Sequence, residues 1–213
     1  MNQNKQADGY NVIVAGAGMV GACAALSFAR KGFRVALVEP SPAIKKAGSA
    51  DIAADAVYDT RLSAISPTSQ KLLSDLGVWS AIDKNRVCDY EKMFVWHANG
   101  NAAVDFDCAQ VASQSLGAIV ENNQILAAVH KACQAEQSID WFLSDKITTL
   151  IENSETTVSV GLESDVTLSA DLLIAADGRG SSTRGLTDIK VTSGSYDQIA
   201  IVANVTTELP HQL

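Results

Sequence analysis

Residues 9–29 carry no charged side chain, and glycines interrupt them at positions 16, 18 and 21. An uncharged run of that length is long enough for a membrane helix or an export signal. Val20 to Cys23 reads V-G-A-C, similar to a lipoprotein cleavage site, so an exported lipoprotein is the non-enzyme alternative. Three features oppose export. The preceding flank is polar, with Asp8 beside the run, rather than strongly basic. Three glycines weaken a continuous helix. The run also divides into a β-branched half, Val12 to Ala15, and an alanine-rich half.

Those halves predict a β-α-β unit. Residues 10–15 read as a strand covered on both faces. G-A-G-M-V-G at 16–21 fits G-x-G-x-x-G, residues 19–31 read as a helix capped by Gly32, and 33–38 as a second strand ending at Glu39. The glycines play separate parts. Gly16 permits the tight turn, Gly18 lets backbone approach a pyrophosphate, and Gly21 allows close helix–strand packing. The pyrophosphate then meets the unpaired amides and positive dipole end of the helix. Glu39 can accept hydrogen bonds from a ribose diol and would repel a 2′-phosphate, which favours the adenosine of FAD or NAD over NADP. The alternatives are a structural glycine turn beside a surface glutamate, and an NAD-binding module without flavin. The fold class that follows is α/β, a Rossmann-like FAD/NAD(P)-binding unit.

Charge narrows the partners. The chain carries 24 acidic and 16 basic side chains, net −8, which excludes a nucleic-acid partner as the reading of choice, because phosphate backbones are bound by clustered Lys and Arg. Residues 1–50 alone hold six basic and two acidic groups, compatible with an anionic ligand near that end. Cys23, Cys88, Cys108 and Cys133 form no C-x-x-C pair and read as four buried, reduced thiols of a cytosolic protein. With no H-x-x-x-H or Cys/His cluster, no metal ligand is assigned.

Farther along, residues 40–59 read as an irregular excursion. Ser66 and Pro67 start a helix that Gly77 closes, with Leu72, Leu73 and Leu76 as its apolar stripe and Trp79 beneath. Arg61, just before it, reads either as a pyrophosphate clamp or as a surface arginine paired with Asp59 or Asp55. Residues 92–97, Asn99, Gly100, and the alternation through Val104 and Phe106 predict a hairpin, the start of a sheet-based substrate region. Asn122 can cap a helix running to about residue 135, on which His130 reads as a satisfied structural histidine rather than a catalytic one. Short strands are expected at 141–143, 156–162 and 166–168, and a further buried strand at 172–176. The last ends in Asp177 and Gly178, at a strand exit like Glu39, where α/β sheets bind ligands; an ordinary Asp-Gly turn is the alternative.

Taken together these residues resemble the aromatic-ring hydroxylases of the single-component flavoprotein monooxygenases, and most closely the ubiquinone-biosynthesis branch. Beyond the glycines and Glu39, the likeness rests on R-L-S-A-I-S at 61–66, L-G-V-W at 76–79, L-G-A-I-V-E-N at 116–122 and A-D-G-R-G-S-S-T-R at 176–184, similar to a D-G-x-x-S-x-x-R motif. Tyr196 to Ala200 with Glu208 to His211 resembles a strand pair of that branch. The resemblance implies FAD as cofactor, NAD(P)H as electron donor, O2, and an aromatic, prenylated small-molecule substrate, a polyprenyl phenol or benzoquinol. It implies a cytoplasmic protein, peripheral at the inner membrane or within a biosynthetic complex. Gly16, Gly18, Gly21 and Glu39 would hold the adenosine half of FAD, Arg61 the pyrophosphate, and Asn122 would face the flavin. Asp177 and Arg184 belong to a motif associated with FAD and the nicotinamide donor. Gly180 departs from the branch, which has Asn there, and Arg179 adds a charge, so neither is given a contact. The expected division is an FAD-binding domain over 1–87 and 109–184, with a partial substrate domain over 88–108 and 185–213. The family's later G-D motif has no counterpart, so the likeness is to the N-terminal half of such an enzyme. A flavin-dependent reductase or dehydrogenase of the same fold is the rival enzyme reading, and no catalytic acid or base is named.

Overall fold

The computed structural model describes residues 6–7, 9–42 and 58–209. Most of the 40–59 excursion, the Asp55 partner considered for Arg61, and Pro210 and His211 lie outside them. In chain order the elements are β1 (Gln6–Ala7), β2 (Val12–Ala15), α1 (Met19–Ala29), β3 (Val35–Glu39), β4 (Leu62–Ile65), α2 (Pro67–Asp75), β5 (Val87–Tyr90), β6 (Lys92–Trp96), β7 (Ala103–Asp107), β8 (Gly117–Glu121), α3 (Asn122–Gln134), β9 (Ile139–Leu143), β10 (Ile147–Asn153), β11 (Val158–Leu162), β12 (Thr167–Ala170), β13 (Leu172–Ala175) and α4 (Ser182–Gly185). They fall into two compact units, 1–51 with 129–198 and 52–128 with 199–213, the boundary passing through α3.

The uncharged opening run is not one rod. It folds as strand, loop and helix, and among the described residues no helix is long and apolar enough to cross a membrane. In the first unit, β13, β2, β3 and β9 form a parallel sheet in that order, with Ile13 opposite Ala36 and Val35 opposite Ile139. Both faces of β2 and β3 are covered, as the continuous apolar runs require. One face packs Ala22, Ala25 and Leu26 of the helical layer; the other, through Ile13, Ala15, Ala36 and Val38, joins a core with Val160, Leu162 and Leu168. Those last residues belong to a second sheet, ordered β1-β12-β11-β10. Each fully buried Val, Leu or Ile contributes about 1.5–3 kcal/mol by leaving water. Helix α1 ends two residues before the expected Lys31, because the chain turns through Arg30 and Lys31 into Gly32, whose φ of +87° suits glycine.

In the second unit, β4, β8 and β5 form an antiparallel sheet with β8 central, and β6 and β7 form the hairpin expected around Gly100. Helix α2 begins as expected: the Ser66 hydroxyl accepts from the Ser69 amide and Pro67 opens the helix. Its apolar stripe is narrower than expected, since Leu72 is exposed while Leu73 and Leu76 are buried.

Three further expectations are corrected. Residues 196–200 form no strand: from 190 to 207 the backbone makes no sheet ladder among the described residues, and its side chains are exposed. Strand β13 is only half-buried, with Leu172 exposed at the sheet edge. Of the four thiols, all free, Cys108 and Cys133 are buried while Cys23 and Cys88 are half-buried.

Candidate functional site

Three carboxyl ends of parallel strands converge in the first unit: β2 leads into Gly16, β3 ends at Glu39, and β13 leads to Asp177. Backbone bonds continue each ladder into the loops. The Gly16 amide donates to the Val38 carbonyl at 2.8 Å, and the Ala176 amide donates to Ala15 at 2.8 Å. That close approach explains two of the glycines. A side chain on Gly16, whose φ is +94°, would lie 2.6 Å from the Ala176 carbonyl oxygen; one on Gly21 would lie 1.9 Å from that of Gly16. Gly18 differs: a Cβ there meets nothing within 4 Å, and its φ of −63° suits any residue. The fold does not require glycine at 18, whereas a ligand lying against that open backbone would.

Glu39 reaches this loop. Its Oε2 accepts from the Ala17 amide at 2.8 Å and its Oε1 from Ser41 at 2.9 Å, leaving further lone pairs for a ligand hydroxyl. The first turn of α1 has no side-chain cap, so its free amides and dipole end remain available to an anion.

Asp177 closes the other side of the glycine turn, its Cα 2.8 Å from the position of a Cβ on Gly16. Its Oδ2 accepts from the Thr183 amide and hydroxyl, both at 3.0 Å. Burial pushes the carboxyl up, but serine hydroxyl and Thr183 donors outweigh that and hold it below the ordinary aspartate range. Its Oδ1 is buried with no partner among the described residues, an orphaned acceptor beside the loop. Arg184 serves the same turn: its amide donates to the Ser181 hydroxyl and its Nη2 to the Arg179 carbonyl at 3.2 Å. An open cleft of about 340 Å³ lies against Gly178, Ser181, Thr183 and Arg184.

Arg61 and Asn122 are neighbours in the second unit. The Asn122 amide donates to the Arg61 carbonyl at 2.9 Å, and the Ser63 hydroxyl donates to Asn122 Oδ1 at 2.5 Å. The Arg61 amide caps onto Asp59 Oδ1, but its guanidinium is exposed and makes no ion pair among the described residues, so pairing with Asp59 is through backbone rather than charge.

Two groups escaped sequence reasoning. Arg86 and Glu121 form a salt bridge at 3.0 Å with side chains 4% and 2% exposed. The Glu121 Oε2 also accepts from the Asp59 amide at 2.6 Å, anchoring the approach to Arg61. No charge-spacing rule pairs residues 35 apart. His130, given only a structural role, lies with its Nε2 2.6 Å from the Ala17 carbonyl oxygen, at the centre of the glycine loop.

These features suit a dinucleotide: an open glycine, free helix amides, an acid at the strand end and an orphaned acceptor. A profile described as an FAD binding domain matches residues 9–212. The chain belongs to this FAD-binding domain family. Among its relatives, the 3-demethoxyubiquinol 3-hydroxylase of Escherichia coli K12 is 32% identical over 92% of the chain and 48% of that protein. The human mitochondrial ubiquinone biosynthesis monooxygenase COQ6 is 31% identical over 92% of the chain and 43% of that protein. The chain thus spans about half the length of the curated relatives it matches. Solved structures share the fold. PqsL of P. aeruginosa in complex with 2-aminobenzoylacetate superimposes with a TM-score of 0.67 at 19% identity, over 89% of this chain and 48% of that one. The p-nitrophenol 4-monooxygenase PnpA of Pseudomonas putida DLL-E4 gives 0.62 at 18%, over 85% and 43%.

Proposed function

We propose that this chain is the FAD-binding half of a flavin-dependent monooxygenase that hydroxylates an aromatic ring, a polyprenyl phenol or benzoquinol of ubiquinone biosynthesis, with NAD(P)H as donor. The observation that carries the reading is the Ala17 amide bonded to Glu39 beside an open Gly18. Relatives named for ubiquinone biosynthesis, each about 30% identical over most of the chain, support the substrate class.

In this reading Gly16, Gly18 and Gly21 bring backbone against the diphosphate, Glu39 takes the adenosine ribose, and the Arg61 guanidinium adds a cation to the diphosphate. Asp177 offers Oδ1 to a cofactor hydroxyl, Asn122 faces the flavin ring, and Arg184 holds the Asp-Gly turn in register. When bound, FAD supplies the redox chemistry, taking electrons from NAD(P)H and delivering one oxygen atom of O2 to the ring. The chain's own work is binding, orientation and exclusion of water. The domain assignment that goes with this is FAD-binding over 1–87 and 109–184, with 88–108 and 185–213 belonging to a substrate domain. In this reading the enzyme is cytoplasmic, and a prenylated substrate implies access from a membrane surface, hence peripheral association.

The test uses the full gene product purified with added FAD. A bound-flavin visible spectrum, NAD(P)H oxidation that depends on a phenol, and one labelled oxygen atom from ¹⁸O₂ in the product support it. NAD(P)H oxidation without oxygen incorporation points to a reductase and overturns it.

A further inference from the structure

His130 sits on α3 and is 1% exposed, yet it is not a passive core residue. A carbonyl oxygen can only accept, so the 2.6 Å approach of Nε2 to the Ala17 oxygen fixes the tautomer: Nε2 carries the proton and donates. The ring is clamped edge-on against Trp141, centroids 5.7 Å apart at 85°. Its Nδ1 is left buried with no partner among the described residues, an expense that an apolar side chain of like size would avoid. The Nε2 bond is what this side chain adds over simple bulk.

That bond acts on the loop's geometry. A trans peptide is planar, with its C=O and N–H pointing in opposite directions. Holding the Ala17 carbonyl toward α3 therefore turns the Gly18 N–H away from α3. The preceding peptide is held as well, since the Ala17 N–H donates to Glu39 Oε2 at 2.8 Å. Two successive peptides, on either side of Ala17, are thus gripped by side chains from two different elements, and the amide that follows is aimed with no acceptor among the described residues. Gly18 lacks a side chain at the same point and leaves open space there.

We propose that His130 is a positioning residue for the dinucleotide loop: by donating Nε2–H to the Ala17 carbonyl it orients the Gly18 amide toward the diphosphate of the cofactor. The assignment rests on the FAD reading for its ligand but not for its loop geometry, and the two fail separately.

The experiment compares the wild-type chain with His130→Phe, which keeps an aromatic ring without a donor, and His130→Gln, whose amide nitrogen can reach the same carbonyl. Affinity for ADP is measured by calorimetry, and order of the 16–20 amides by ¹⁵N relaxation without ligand. The expected result is about tenfold weaker ADP binding and a mobile loop in His130→Phe, the scale of one misdirected hydrogen bond, with affinity within about threefold of wild type and an ordered loop in His130→Gln. Equal ADP binding and loop order in the wild type and both variants, or His130→Gln no better than His130→Phe, overturns the proposal. If the wild type binds neither ADP nor FAD, the cofactor reading fails and loop order alone decides on His130. Should His130→Phe not fold, His130→Gln decides: an ordered loop supports the assignment and a mobile one overturns it.

Discussion

The Glu39 carboxylate accepts a hydrogen bond from the Ala17 amide at 2.8 Å, tying the end of the second parallel strand to the turn that follows the first. The acid therefore both shapes the loop and meets the ligand. Removing its charge should weaken ADP binding by about 1–3 kcal/mol, since it costs charge-assisted hydrogen bonds. The same charge should make 2′,5′-ADP bind less well than 5′-AMP, from which it differs only by the 2′-phosphate. In Glu39→Gln the gap between the two nucleotides should narrow, which competitive calorimetry reads directly.

The three loop glycines should respond differently to a single methyl. Gly21→Ala places Cβ 1.9 Å from a carbonyl oxygen and should destabilise the fold by more than about 2 kcal/mol. Gly18→Ala meets nothing and should leave stability within about 1 kcal/mol of wild type. It should nevertheless weaken nucleotide binding, because the methyl occupies space the diphosphate needs. Urea unfolding together with ADP titration separates the two effects.

Much of this architecture is legible in the residues alone. An apolar strand, three glycines in register and a terminal acid announce the β-α-β unit, because a buried parallel strand and a crowded turn leave few residue choices. Asn99 and Gly100 likewise announce the hairpin. Strand β10 was missed because its sequence, I-T-T-L-I-E-N, is exposed along most of its length and lacks clean alternation. The contact between His130 and Ala17 spans 113 positions and exists only once α3 packs beside the loop. The Arg86–Glu121 pair is similar: neither residue belongs to a charge pattern that local spacing would flag.

That buried pair should be costly to break. Arg86 lies beneath the Tyr58 ring, its Cζ 4.3 Å from the centroid, and Glu121 also holds the Asp59 amide. Glu121→Leu alone removes the carboxylate that faces a buried guanidinium and should cost about 3–5 kcal/mol in chemical denaturation. Combining it with Arg86→Met should recover most of that loss, since the cost is a buried charge without its facing carboxylate rather than the missing attraction.

Stability should fall on mild acidification, with His130 as a contributor. Burial, the largest influence, holds its imidazole below the ordinary histidine value, against the opposing effects of the Ala17 carbonyl and the Glu39 charge. The unfolded chain then binds the proton more readily, so this contribution is complete above about pH 6.5 and is lost as pH falls from there toward the lower folded value, by at most about 1.4 kcal/mol per pH unit. Urea titrations at pH 7.5 and 5.5 should show the drop in wild type and a smaller one in His130→Gln.

The most direct measurement is an ADP titration of the ¹⁵N-labelled chain followed at each backbone amide. Saturable shifts concentrated at residues 16–20 and at Glu39 are the predicted result. Shifts confined to other parts of the chain, with the Ala17 and Gly18 amides unmoved at saturation, would contradict the assignment of this loop as the dinucleotide site.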